Sequence, residues 1–558
     1  MNEQMNALAE RFWDRAMEES PSWATILGDH RFDAEVEDLS AEHEQQTIVD
    51  FTSFRDEAEA IDPTSLSKDD RITRHVLISE VDGYIGAMQS RQHEYLVDPM
   101  LGLHMDIVQG ISQFRANEDV HAWAFVDKAS KVGRQFDQLM ERHRQGVANG
   151  RTPPQISVEK VITQLESLVA APAEANAFLQ IALPEEMAES EQARWREAMT
   201  EQVRTVVNPA FERYRTMISD EVLPHARPED RSGICWLPDG EEVYSRAVAR
   251  FTSLDLEPSQ IHQIGLDEIA SIEDEYRQLG EGVLGTTNLG DIYERLRRDP
   301  ALRFETSEQI QEQAERATAR ANEATPDWFG RLPVADCIVQ PIPEPGAKDA
   351  PLAYYLPPAD DGSRPGIFFI NLTDPTSRTR YESEALAFHE GVPGHHFQLT
   401  LAQELEGVPA FRRNGLVTVY VEGWGLYCER LGDEMGLYSG DLERFGILSF
   451  DSWRAGRLVV DTGLHALGWS RQQAIDYFLE NSPQARNNIE NEVDRYIGYT
   501  GQALAYKLGQ REIFRLRDAA KQTMGTRFDI KGFHDTVLES GPVPLNLLSD
   551  LVMEWAMS

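Results

Sequence analysis

The chain has 558 residues with 41% apolar content, enough to bury a large core and more than a single compact unit usually holds. Lys and Arg total 53 against 94 Asp and Glu, a formal charge of −41 that repels a polyanion and argues against a nucleic-acid partner. Cys235, Cys337 and Cys428 are far apart with no CxxC spacing, so neither a disulfide framework nor a thiolate metal site is expected.

The opening stretch, MNEQMNALAERFWDRAMEE, reads as an acidic amphipathic helix and lacks the basic start and apolar core of a signal peptide. No run approaches the roughly 18 uninterrupted apolar residues of a membrane span. A soluble, cytoplasmic protein with no membrane partner is therefore expected. Up to about residue 225, apolar residues at helical spacing, such as Phe12 and Ala16 or Val158, Ile162 and Leu165, predict a helical half.

Residues 224–240, PHARPEDRSGICWLPDG, concentrate Pro, Gly and charge and read as a long connection. The expected division is an N-terminal helical lobe, 1–230, and a catalytic lobe, 231–558. Glu257 and Pro258 stand where the next helix would begin. Between 333 and 372, VADCIVQ, LAYYL and GIFFINL predict short strands joined by the Pro-rich loops PIPEPGAKDAP and PPADDGSRPG. From about residue 380 to the end the pattern is helical again.

The segment YESEALAFHEGVPGHHFQLTLAQEL, residues 381–405, carries His389, His395 and His396 beside Glu390, three of the chain's 14 histidines within eight residues. Zinc takes about four nitrogen or oxygen ligands and, in a hydrolytic site, keeps one position for water, which a neighbouring glutamate can deprotonate. In a regular helix His389 and His395 would be about 9 Å apart in rise and on nearly opposite faces, while His396 would share the face of His389 about 10 Å along. Pro393 must deform the helix, and Gly394 gives the backbone the freedom to bring His395 back. A purely structural helix break, with the histidines capping and packing, is the competing reading.

HEGVPGHHFQ resembles the HExxPGHxxQ signature of the domain-of-unknown-function 885 family, whose members are regarded as metallopeptidase-like and mostly helical. SPSWATILGDHRFDAEVEDLS, GICWLPDGEEVY, SRPGIFFINL, VEGWGLYCERL, RAGRLVVDTGLH and RYIGYTGQALAYKLG extend the resemblance over nearly the whole chain. It implies metal ligands at His389, His395 and Glu422, a general base at Glu390, and one zinc ion per chain. Glu422 lies in the apolar VTVYVEGWGLY, where a carboxylate is costly unless paired or metal-bound. Glu429, seven residues on, is placed either to hydrogen-bond a ligand histidine or to pair near Arg430. One departure is Thr500, where the family usually has Pro; Thr there is expected to cap the following helix.

Arg457, Asp461 and His465 recur at steps of four, so a buried Asp461 between them would orient the His465 imidazole for a site role. Tyr499 and Tyr506 are candidates for donating to an oxyanion, with Arg495 and Lys507 as anchors for a substrate carboxylate and Arg457 as a further substrate-binding residue. Asn371 and the GIFFINL strand are expected to offer an edge on which an extended peptide adds. The fold class expected is mainly α, two helical lobes around a deep cleft, with a small β-sheet next to the metal site. The function expected is a zinc metallopeptidase in which the metal activates water and Glu390 carries the proton. A zinc amidase acting on a small amide substrate and a non-catalytic helical binding protein are the alternatives.

Overall fold

Glu257 and Pro258 begin a helix as their chemistry requires: the Glu257 side chain and that of Gln260 cap each other's backbone N–H groups, and Pro258 occupies the first turn. Ser40, Ser67, Thr306 and Ser470 do the same work elsewhere, each accepting from the N–H three residues on. The computed structural model describes residues 2–343, 351–358 and 364–558 and is mainly helical, with one three-stranded sheet among the described residues. No described helix is long and apolar enough to cross a membrane.

The helices that matter for the site are α1 (Pro258–Val283), α2 (Ser383–Glu390), α3 (His395–Gln403), α4 (Thr418–Glu434), α5 (Arg444–His465), α6 (Arg486–Gly498) and α7 (Ala505–Met524). Met5, Phe12 and Phe51 from the first helices share one apolar core with Phe411, Trp424 and Val552, while Val97 through Val222 contribute to a second core. Between 223 and 236 the chain passes through three short 3-10 turns, Leu223–His225, Glu229–Arg231 and Ile234–Trp236.

Helix α5 is buried from Phe445 to His465, packed between α1 and the helices that follow. A helix buried all round must pair its polar groups. Asp451 does so with Arg430 and Lys507, Ser449 with Glu382, and Asp461 with Tyr244. Helices α4 and α7 approach closely because Gly423 faces Gly509, where a Cβ on either would collide with the other backbone. That contact fixes the N-terminal part of α4, which carries Glu422.

The sheet consists of β1 (Cys337–Pro341), β2 (Ala353–Leu356) and β3 (Gly366–Ile370) in the order β1-β3-β2. β1 runs parallel and β2 antiparallel to β3. The expectation that GIFFINL offers an edge to a peptide is corrected here: β3 is the central strand, paired on both sides and buried throughout, so no row of free backbone groups remains on it. Residues 344–350 and 359–363 of the expected Pro-rich loops lie outside the described residues. Thr500 does not cap the next helix; Gly501, at φ +81°, starts the 3-10 turn Gln502–Leu504 instead.

Candidate metal centre

Helix α2 ends at Glu390, and a four-residue loop, Gly391 to Gly394, separates it from α3, which starts at His395. The loop is tied down from α4, where Trp424 Nε1 donates to the Pro393 carbonyl at 2.9 Å and Cys428 Sγ at 3.3 Å. A methyl group at position 394 would collide with the carbonyl oxygens of Phe388 and His389, so only glycine allows the chain to fold back this tightly. The two imidazoles thereby come within 4.7 Å, centroid to centroid, with planes at 83°.

Glu422 completes the group. His389 Nε2 and His395 Nε2 each lie 3.6 Å from the same Glu422 Oε2, and the three donor atoms all fall within 4.8 Å of one another. A gap of 3.6 Å is too long for a hydrogen bond. It is close to the edge of a tetrahedron with metal–ligand bonds of 2.0–2.2 Å, about 3.4 Å. Two imidazole nitrogens and one carboxylate oxygen at that spacing fit zinc with one position left for water. His396 is turned elsewhere: its Nδ1 meets the Tyr355 hydroxyl at 2.8 Å and Thr400 Oγ1 at 3.3 Å, beneath the sheet. His395 is therefore the histidine that joins His389.

Electrostatics follow from this crowding. Burial disfavours a charged His389, but the carboxylates of Glu422 and Glu429 outweigh it and raise the ring to about 9. Burial would raise Glu422, but the two histidines hold it well below the usual carboxylate range. Glu429 Oε1 receives His389 Nδ1 at 2.8 Å, so of the two placements open for Glu429 the structure shows the hydrogen bond to His389. His395 Nδ1 is buried without a partner among the described residues, as are both amide atoms of Gln398 one turn on. Glu390 is half-buried at the end of α2, next to His389.

Tyr499 caps the C-terminus of α6 and Tyr506 lies in the first turn of α7. Burial raises both phenols, and the negative charge of Glu422 raises them further, which keeps them protonated donors. Arg457 stacks over Tyr506 at 4.4 Å, and Arg495 donates to Gln502, whose amide meets the Tyr506 hydroxyl at 3.4 Å.

Four residues expected at the site stand apart. His465 accepts from the Ile234 N–H through Nδ1 and donates through Nε2 to the Tyr496 carbonyl, so neither nitrogen is available for chemistry. Asp461 bonds Tyr244 and the Gly501 N–H rather than Arg457 or His465. Lys507 is no anchor for substrate, because its ammonium is buried on Asp451 at 2.5 Å, Glu268 at 3.0 Å and Gln510 at 2.8 Å. Asn371 is buried, with its oxygen on Thr373 and its amide on the Pro351 carbonyl, and shapes the turn after β3.

Sequence reasoning missed Arg454 and Gly425. Arg454 is buried with its Nη2 3.6 Å from Glu429, and the signal for it was two arginines three apart in the otherwise apolar WRAGRLVV. A Cβ at Gly425 would stand 2.8 Å from His389 Cε1 and 2.9 Å from Nε2, so this glycine makes the space for the ring. The described residues hold a second group, His30, Asp33 and His121. There the imidazoles stack at 3.9 Å with planes at 10°, and His30 spends its nitrogens on Asp33 and Asn117. Lone pairs lie in the ring planes, so stacked parallel rings cannot converge on one ion.

The model for a family described as "Bacterial protein of unknown function (DUF885)" matches residues 21–552. The chain belongs to this family. Among solved structures, a candidate lipoprotein from Colwellia psychrerythraea is similar with TM-score 0.91 and 26% identity over 99% of this chain and 98% of its own. A candidate lipoprotein of unknown function from Shewanella oneidensis shares the fold with TM-score 0.72 and 18% identity, over 98% of this chain and 99% of its own. No curated protein matches.

Proposed function

We propose that this DUF885 protein is a zinc-dependent peptidase. The observation that carries the reading is the spacing of His389, His395 and Glu422: each imidazole Nε2 lies 3.6 Å from the Glu422 Oε2, too far for a hydrogen bond, and the three donor atoms fall within 4.8 Å of one another, where a tetrahedral ion fits. Zinc, when bound, supplies a Lewis acid that acidifies water and polarises a carbonyl oxygen. Glu390, adjoining His389, takes the proton of the attacking water and returns it to the departing amine. Glu429 fixes the His389 ring through Nδ1 so that Nε2 faces Glu422. Tyr506 and Tyr499, protonated at neutral pH, donate to the carbonyl oxygen as negative charge develops there.

A cytoplasmic location belongs to the same proposal and is supported by three free cysteines, which suit a reducing compartment. The lipoprotein description of the similar structures points the other way, and fractionation of cells decides between them.

The test is metal content by mass spectrometry together with cleavage of a mixed peptide library. Near-stoichiometric zinc is expected in the wild type, with loss in His389→Ala and Glu422→Ala. Glu390→Gln should keep the metal and lose activity by a factor of about 100 to 10,000. A wild type that takes up no zinc, or a zinc-loaded protein that cuts no peptide, overturns the reading.

A further inference from the structure

Three arginines gather around Tyr506. The Arg457 guanidinium lies 4.4 Å from its ring centroid and that of Arg454 6.0 Å, while Arg495 reaches it through Gln502. Few carboxylates balance them. Glu492 serves both Arg457, at 3.2 Å, and Arg495, at 2.9 Å. Glu429 stands 3.6 Å from Arg454, but its Oε1 is already engaged by His389. In a chain with a formal charge of −41, this is a buried surplus of positive charge.

The arginines also have donors to spare. Arg454 Nε and Nη1 and Arg457 Nη1 are buried with no hydrogen-bond partner among the described residues. Buried charged donors left without acceptors cost free energy, and the group that fits a guanidinium fork is a carboxylate. The arginine cluster adjoins the candidate metal centre, since Glu429 stands between Arg454, at 3.6 Å, and His389, at 2.8 Å. Arg495, which shares Glu492 with Arg457, also lines a cavity of about 510 Å³ together with Asp98, Lys160 and Asp494.

We propose that Arg454 and Arg457 bind the C-terminal carboxylate of a peptide substrate, which makes the centre a carboxypeptidase for short free-acid peptides. This rests on the peptidase reading above. The water oxygen bonds to the last peptide carbonyl carbon, the C–N bond breaks, and the proton taken by Glu390 goes to the leaving amino group. One free amino acid departs, its carboxylate carried by the arginines.

Two measurements keep the two ideas separable. Zinc-loaded wild type is assayed on tri-alanine with a free or an amidated C-terminus, and zinc-loaded Glu390→Gln is titrated with both by calorimetry. The expected result is cleavage of the free acid at least 100-fold more efficient, with correspondingly tighter binding. Arg454→Met and Arg457→Met should raise KM for the free acid about tenfold or more and remove the preference for the free acid over the amide. Should either variant fail to fold by circular dichroism, the lysine replacement carries the test, since it keeps the charge and loses the fork. Equal cleavage and equal binding of acid and amide overturn the carboxylate recess and leave a peptidase standing. Preferential binding of the acid without cleavage of any peptide upholds the recess and removes the peptidase.

Discussion

Glu429 Oε1 lies 2.8 Å from His389 Nδ1, both side chains buried, while the other nitrogen of the same ring faces Glu422. The carboxylate thus sets which imidazole nitrogen is presented to an ion and makes it more basic. Glu429→Gln, similar in size but uncharged, should weaken zinc binding about 10- to 100-fold. Competition with a chromogenic chelator reads this directly, and an unchanged affinity would remove Glu429 from the centre.

Gly425 gives a steric test of the same ring. A methyl group there meets His389 Cε1 at 2.8 Å and Nε2 at 2.9 Å, closer than carbon contacts allow. Gly425→Ala should displace the imidazole and abolish stoichiometric zinc. Gly282, near the end of α1 with open space around it, is the control. Gly282→Ala should leave zinc unchanged and stabilise the helix by about 0.5–1 kcal/mol, read as a small rise in Tm.

Asp451 stands between two buried cations, Arg430 and Lys507, which together hold its carboxyl down to about 2 despite burial. Replacing it strands both charges. Asp451→Asn is expected to destabilise the fold by about 3–5 kcal/mol, measured by urea denaturation, with the zinc content of the remaining folded protein unaltered. If stability is unchanged, Lys507 is not the structural cation described here.

Acid sensitivity should come from buried histidines other than His389 and His395. Burial lowers His465 to about 4 and His143 and His534 to about 3, from an ordinary value of 6.5. Each is neutral when folded, so as pH falls below 6.5 the unfolded chain takes up protons that the folded chain refuses. Stability is therefore fully present above pH 6.5 and falls as the medium is acidified toward 4, by about 1.4 kcal/mol per pH unit for each histidine. His465→Gln should be less stable at pH 7 and show a shallower dependence; an identical slope would mean that His465 is not the neutral acceptor of the Ile234 N–H.

Much of this molecule was legible in local sequence. Glu257 and Pro258 mark a helix start with chemistry confined to four residues, and the strand runs at Cys337, Ala353 and Gly366 fall where Val, Ile, Tyr and Phe cluster. Pro393 and Gly394 forecast the break between α2 and α3 for the same reason, since neither a missing amide hydrogen nor a missing Cβ needs a distant partner to act. Glu422 was singled out by the family resemblance, and its apolar surroundings agreed, since a carboxylate there is costly unless paired or metal-bound.

Sequence by itself thus determined where elements begin and end, and which charged side chains needed partners. Tertiary structure decided which partner each received. His465 meets Ile234 and Tyr496, Lys507 meets Glu268 and Asp451, and β3 is flanked on both sides rather than left at an edge. Those outcomes turn on segments tens to hundreds of residues away, because a buried polar group is satisfied by whatever lies beside it in space, and periodicity along one helix carries no record of that neighbour.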